Sequence, residues 1–137
     1  MLMPLSTVPY ALVVEDDPII MMETTYILED AGFRVHESFN GDEAVTHLAE
    51  HWESTVLLFS DVDMPGTLNG FALARHVAEN WPQIEIVIAS GHASPAAGDM
   101  PEKATFITKP FNQRMVREHL AEMLPDDKKP EPLRKAV

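Results

Sequence analysis

The chain contains no cysteine. Disulfides, thiolate metal centres and a cysteine nucleophile are therefore excluded, and the fold must rest on packing alone. Basic residues are scarce: 10 Lys and Arg stand against 22 Asp and Glu, for a formal net charge of -12. That balance argues against nucleic acid or an anionic membrane as a partner, because phosphate contacts need basic surface. No apolar run approaches the roughly 20 residues of a membrane-spanning helix. The N-terminus also lacks the charged start and long apolar core of a signal peptide. A cytoplasmic address is the resulting expectation.

What is present suffices for one domain with a real core: 137 residues, 45% of them hydrophobic and 23% charged. Apolar, β-rich runs alternate with helical patterns along most of the chain. Strands are expected over 10–14, 33–37, 56–60, 84–89 and 105–108. Helices are expected over 18–31, with Gly32 at the C-cap, and over 42–52, 71–80 and 112–124. Ala44, Val45, Leu48, Ala49 and Trp52 give the second helix an amphipathic spacing. Nearly continuous apolar strands separated by helices imply an α/β fold with a parallel sheet covered on both faces. Between Ser90 and Phe106, the breakers Pro95, Gly98 and Pro101 leave room only for a short or irregular fourth helix. The organisation read here is an N-terminal arm over 1–8, a domain over 9–124 and a disordered tail over 125–137.

The chemically loaded residues fall at the ends of expected strands. Glu15-Asp16-Asp17 follows the first strand, Asp61-Val62-Asp63-Met64-Pro65 the third, Ser90 the fourth and Lys109 the fifth. In an open α/β sheet the ligand site lies beyond the carboxyl ends of the strands, where strand order reverses. Carboxylates gathered there repel one another unless a cation is bound, and Mg2+, with its preference for oxygen ligands, supplies that charge. A carboxylate can itself act as a nucleophile and form an acyl phosphate. Lys109 offers a point charge to phosphoryl oxygens, and Ser90 a hydroxyl donor. Asp17, ahead of Pro18, fits the N-cap of the first helix better than a metal site.

Val13-Val14-Glu15-Asp16-Asp17, Ser60-Asp61-Val62-Asp63-Met64-Pro65, Ala89-Ser90-Gly91 and Thr108-Lys109-Pro110-Phe111 together resemble the receiver domain of two-component response regulators. The resemblance covers about residues 9–124. It implies a doubly wound, flavodoxin-like five-stranded parallel sheet in the order 2-1-3-4-5, in a stand-alone single-domain form. It implies phosphotransfer from a sensor histidine kinase or a histidine phosphotransfer protein to Asp61. Mg2+, or Mn2+ in its place, would be held by Asp16, Asp61 and the backbone carbonyl of Asp63, with Glu15 acting through water. Lys109 would pair with the phosphoryl group, its bond to Pro110 being cis. Ser90 and Phe106 match the switch positions. Asp63 and His92 match the positions that flank the path of hydrolytic water, and so would tune the decay of the acyl phosphate. Such a domain is a signalling module that catalyses its own phosphorylation and dephosphorylation, and homodimerisation is compatible with it. Two departures stand out: Pro65-Gly66-Thr67-Leu68-Asn69-Gly70 is one residue longer than usual, and the segment after Ser90 is short and rich in breakers.

Three other readings compete. Asp61-Val62-Asp63 is a D-x-D sequence, as in a small haloacid-dehalogenase-type aspartyl phosphatase with Asp61 as nucleophile and Asp63 as general acid. Against it, Pro65 stands where Thr or Val is expected, and the motif lies on the third strand instead of the first. A flavin domain of the same fold is disfavoured because the acidic first loop would repel the flavin phosphate. His47-Leu48-Ala49-Glu50-His51 matches the H-x-x-E-H pattern of zinc proteases. Leu48 and Ala49 are expected to face the core there, and no third ligand is evident on a neighbouring helix.

Overall fold

The computed structural model describes residues 8–92 and 94–134. Strands β1 (Tyr10–Val14), β2 (Arg34–Ser38), β3 (Thr55–Asp61), β4 (Glu85–Ser90) and β5 (Thr105–Thr108) alternate with helices α1 (Pro18–Asp30), α2 (Gly41–His51), α3 (Gly70–Asn80) and α4 (Gln113–Met123). All strand pairs are parallel and the order is β2-β1-β3-β4-β5, so the chain reverses direction across the sheet between β1 and β3. The central strands β1, β3 and β4 are buried on both sides, and alternate residues of each feed two cores. Ala11, Val13, Leu57, Phe59, Val87 and Ala89 pack with Met21, Ile27 and Leu28 of α1 and with Val116 and Leu120 of α4. Leu12, Val14, Leu58, Ile86 and Ile88 pack with Ala44 and Leu48 of α2 and with Phe71, Leu73, Ala74 and Val77 of α3. Each fully buried Leu or Ile stabilises the fold by roughly 1.5–3 kcal/mol.

Helix starts follow from capping. The Asp17 carboxylate accepts from the N–H groups of Ile19 and Ile20 at 2.8 and 3.1 Å, ahead of Pro18. Asn40, Asn69 and Asn112 cap α2, α3 and α4 in the same manner, each accepting at 2.8 Å from the backbone three residues on. Gly32, at φ 111°, turns the chain out of α1.

Two segments bear on the rest. Between β4 and β5 the described residues form turns and no helix. Met100 and Ala104 cover the second core there, and Arg75 Nη1 of α3 holds the segment by donating to the Asp99 carbonyl at 2.6 Å. The short or irregular helix expected in this place is thus an irregular loop.

The tail requires a correction. Asp126–Lys128 forms a 3-10 turn and Glu131–Arg134 a short helix, α5. Leu133 is 5% exposed and joins the first core. Pro130 and Pro132 lie so close to Gly32 that a Cβ there would sit 2.7 and 2.8 Å from them. Polar composition suggested disorder, but two prolines and one leucine suffice to dock the segment over the turn after α1. Most of the expected arm (1–7) and the last three tail residues (135–137) lie outside the described residues.

Candidate functional site

Strand register brings the acids together. Val14 pairs with Ser60, so the next residues, Glu15 and Asp61, emerge side by side at the carboxyl end of the sheet. Ser90 pairs with Thr108, which delivers Lys109 to the same rim, and the Lys109 N–H donates to the Ser90 carbonyl at 3.0 Å. Carboxylate oxygens of Glu15, Asp16 and Asp61 lie within 4.8 Å of one another. Glu15 and Asp61 are buried and Asp16 is exposed. Lys109 Nζ sits between the two buried acids, 2.9 Å from Asp61 Oδ1 and 3.0 Å from Glu15 Oε1. The remaining Glu15 oxygen, Oε2, accepts from the Asp17 N–H at 3.0 Å. A lone ammonium thus faces three carboxylates.

Burial raises the pKa of Asp61 above the usual carboxylate range, opposing the effect of Lys109. Burial likewise raises Glu15, against the hydrogen bonds it accepts from Asp17 and Lys109. For Lys109, burial works against the charge, but the bonds to Asp61 and Glu15 outweigh it and the pKa rises. The ammonium therefore stays charged, and the excess negative charge is the costly element of the site.

The acids border an open cavity of about 600 Å³, lined also by Ile20, Glu23, Asp63, Gly91, His92, Pro110 and Phe111. Asp63 and His92 are exposed there. Ser90 is buried at the end of β4, and its hydroxyl oxygen accepts from the His92 N–H at 3.2 Å. Gly91 and His92, which follow it, form the cavity wall. Phe106 does not reach the cavity; it is half-buried against the second core, beside the helix-free segment. The Lys109–Pro110 bond is cis, as the resemblance implied. Gly70 seats α3 against the site: its N–H donates to the Val62 carbonyl at 2.8 Å, and a Cβ would lie 2.0 Å from the Asp61 carbonyl oxygen. The longer loop before it is tied down by Thr67, whose hydroxyl donates to Asp42 Oδ1 at 2.7 Å.

Sequence reasoning gave Ile20, Glu23 and Phe111 no part in the site. Ile20 and Glu23 lie in the first turns of a helix that starts at the acidic loop, a position readable from spacing. Phe111 packs edge-on against Phe59, with ring centroids 5.6 Å apart. That contact between β3 and the turn after Lys109 left no signal in the sequence.

The sequence profile of the response regulator receiver domain matches residues 11–121. The chain belongs to this family. It is 34% identical over 116 residues to the response regulator receiver protein CpdR of Brucella abortus, covering 82% of this chain and 94% of CpdR. It is 33% identical over 116 residues to the sensor kinase CckA of the same organism, of which it spans only 12%. Among solved structures, the receiver domain of the hybrid histidine kinase CckA superposes with a TM-score of 0.72 at 26% identity, covering 85% of this chain and 99% of that one. A response regulator receiver protein from Sinorhizobium medicae gives 0.78 at 24% identity, covering 85% and 94%. The receiver is a signalling module of two-component systems, and the five-stranded order is that of the family's fold. The haloacid-dehalogenase alternative finds no support: the receiver match runs through both acidic segments, and the D-x-D sequence sits on β3. Among the described residues no helix is long and apolar enough to cross a membrane.

Proposed function

We propose that Asp61 accepts a phosphoryl group from a phosphohistidine and that the receiver catalyses this transfer itself. The observation that carries the reading is the convergence of Glu15, Asp16 and Asp61 around one lysine at the strand ends. A carboxylate oxygen of Asp61 attacks phosphorus as the P–N bond to the donor imidazole breaks, and the ring nitrogen keeps the electron pair. Lys109, already 2.9 Å from Asp61, neutralises charge on the acyl phosphate. Ser90, next to the cavity wall, would turn its hydroxyl toward the new phosphoryl oxygens, and Phe106 is the ring that would respond to that shift.

The donor set fits a hard divalent cation, since it offers only oxygen at convergent positions. Asp16, Asp61 and the Asp63 carbonyl would hold Mg2+, with Glu15 acting through water; Mn2+ would serve in its place. When bound, the ion offsets the surplus negative charge and accepts phosphoryl oxygens as ligands. Asp63 and His92, both exposed on the cavity wall, would tune hydrolysis of the product.

The donor we infer is a histidine-bearing helical partner, a sensor kinase or a histidine phosphotransfer protein. Supporting this, α1 presents Ile19, Met22 and Tyr26 at 62, 65 and 63% exposure beside the acidic loop. These apolar side chains are spaced three and four residues apart, the pattern that receives another helix. We place the receiver in the cytoplasm, where such donors act.

The test is incubation with Mg2+ and acetyl phosphate, followed by intact mass. The wild type should gain one base-labile phosphoryl group, and Asp61→Asn none. Uptake by Asp61→Asn with the same lability would overturn the assignment.

A further inference from the structure

The H-x-x-E-H sequence on α2 plays no part in the acidic site, which lies at the other end of that helix. The structure adds what the sequence lacked, a third imidazole, and takes it from a strand. His36 of β2 stands 4.5 Å from His47 and 5.7 Å from His51, centroid to centroid, while His47 and His51 are 4.5 Å apart one helical turn from each other. Tyr10 of β1 also stacks on His36, at 4.7 Å. Leu48 within the motif is buried as expected, but Ala49 is exposed, so this helix face is more open than the spacing suggested.

We infer that His36, His47 and His51 form a second metal site, for a borderline divalent transition ion such as Zn2+. Three observations carry it. Imidazoles at i and i+4 on a helix with a third on the adjacent strand make a nitrogen-rich donor set, which suits Zn2+, Ni2+ or Cu2+ and not Mg2+. His47 Nε2 is buried and has no hydrogen-bond partner, an unmet polar atom that a ligand would satisfy. Glu50 Oε1 lies 3.9 Å from His51 Nε2, where a carboxylate can orient a ligating ring or add an oxygen donor.

The rings lie face to face or tilted, with planes 26–51° apart. Their nitrogens are not gathered at one point; among the described residues, donor atoms within 4.8 Å of one another occur in the acidic pocket. Ion binding must therefore turn the rings edge-on. His51, with 47% of its side chain exposed, has the freedom to turn. The two sites are thus separate in place and in the ion they select.

The experiment is calorimetric titration of the untagged chain with Zn2+, with Mg2+ in excess to occupy the acidic pocket. The wild type should take one Zn2+, and His51→Gln, an exposed change that spares the core, should bind at least about tenfold more weakly. Imidazole NMR signals of His36, His47 and His51 should move with Zn2+, while those of His76 and His119 stay. Wild-type affinity in His51→Gln, or zinc uptake lost in Asp16→Asn instead, would overturn the inference. So would a titration in which the three ring signals do not move.

Discussion

The two ends of the sheet carry opposite charge arrangements. At the carboxyl end of the strands one lysine, Lys109, faces the carboxylates of Glu15, Asp16 and Asp61. At the opposite end one carboxylate, Glu85, lies between two lysines, Lys128 at 2.7 Å and Lys103 at 4.0 Å. Lys128 also donates to the Gln83 carbonyl, and Lys103 to the Pro82 carbonyl. Each lysine at the tail end thus has backbone oxygen to satisfy what Glu85 cannot. The acidic end has no such compensation among its described groups, where three carboxylates share one ammonium. A half-buried cluster whose surplus donors are met by backbone oxygens closes a structure, whereas one with unmet surplus charge suits a ligand.

The largest effect that can break this comparison comes from removing the central lysine. Lys109→Met strands two buried carboxylates and should cost about 2–3 kcal/mol in the metal-free protein, the lower range for a broken pair with partial exposure. Lys128→Met should cost about 1 kcal/mol, because Glu85 keeps Lys103 nearby. Urea midpoints without and with Mg2+ measure both. Only the Lys109→Met loss should shrink when Mg2+ is added. Equal losses, or no metal dependence, would mean that the acidic end is no more frustrated than the other.

The tail sharpens the same contrast from its own side. Leu133 is 5% exposed in a four-residue helix that has little stability of its own. If it closes the first core, Leu133→Ala should cost about 2 kcal/mol and leave phosphoryl uptake from acetyl phosphate unchanged. Thermal unfolding with parallel intact-mass assays would show this. A melting curve identical to wild type would return the tail to the disordered state that its composition suggests.

Stability should also depend on pH through the histidine stack, which lies toward the tail end of the sheet. Burial, then His36 and His51, hold His47 down to about 4, while Glu50 acts the other way. Tyr10 completes the stack from β1 without adding charge. In the unfolded chain His47 titrates near the ordinary imidazole value of about 6.5. Between those values the unfolded state binds more protons than the native state, so stability falls as pH drops from about 6.5 to about 4. With allowance for partial exposure the loss should be about 1–2 kcal/mol. Chemical denaturation over that range would reveal it, and His47→Gln should flatten the slope. A slope unchanged in His47→Gln would place the dependence on other groups.

These contrasts also mark where reading the sequence stopped. All five strands and the four longer helices were legible, because apolar runs, helical spacing and the Asp17 cap are local signals. Asp61, Asp16 and Lys109 were legible as a set, since a parallel sheet sends every strand end to one rim. Three things were not legible. The docking of Pro130, Pro132 and Leu133 on Gly32 depends on contact between residues about a hundred positions apart, in a segment whose composition is polar. The breakers after Ser90 pointed to a short or irregular helix, but not to Met100 and Ala104 covering the core with no helix at all. The stack of His36 on His47 and His51 required knowing that β2 lies under α2, which periodicity does not give.

The smallest expected effect lies within the acidic end itself. Asp63 and His92 both border the cavity and are exposed, and neither contacts Lys109 in the way that Glu15 and Asp61 do. If the surplus charge serves the transfer and these two side chains serve only the water, they should separate in kinetics. Asp63→Ala and His92→Ala should each still take up one phosphoryl group from acetyl phosphate. Their decay half-lives should change several-fold, a barrier change of about 1 kcal/mol or less, given that about 1.36 kcal/mol corresponds to tenfold. His92 is anchored through its backbone N–H to the Ser90 hydroxyl oxygen at 3.2 Å, so loss of its ring leaves the loop attached and the readout reports on the side chain. The measurement is single-turnover loss of the phosphoryl group after the donor is removed. Unchanged decay in both single variants and in the double variant would leave Glu15, Asp16 and Lys109 to account for the lifetime, and the division of labour at this end of the sheet would be wrong.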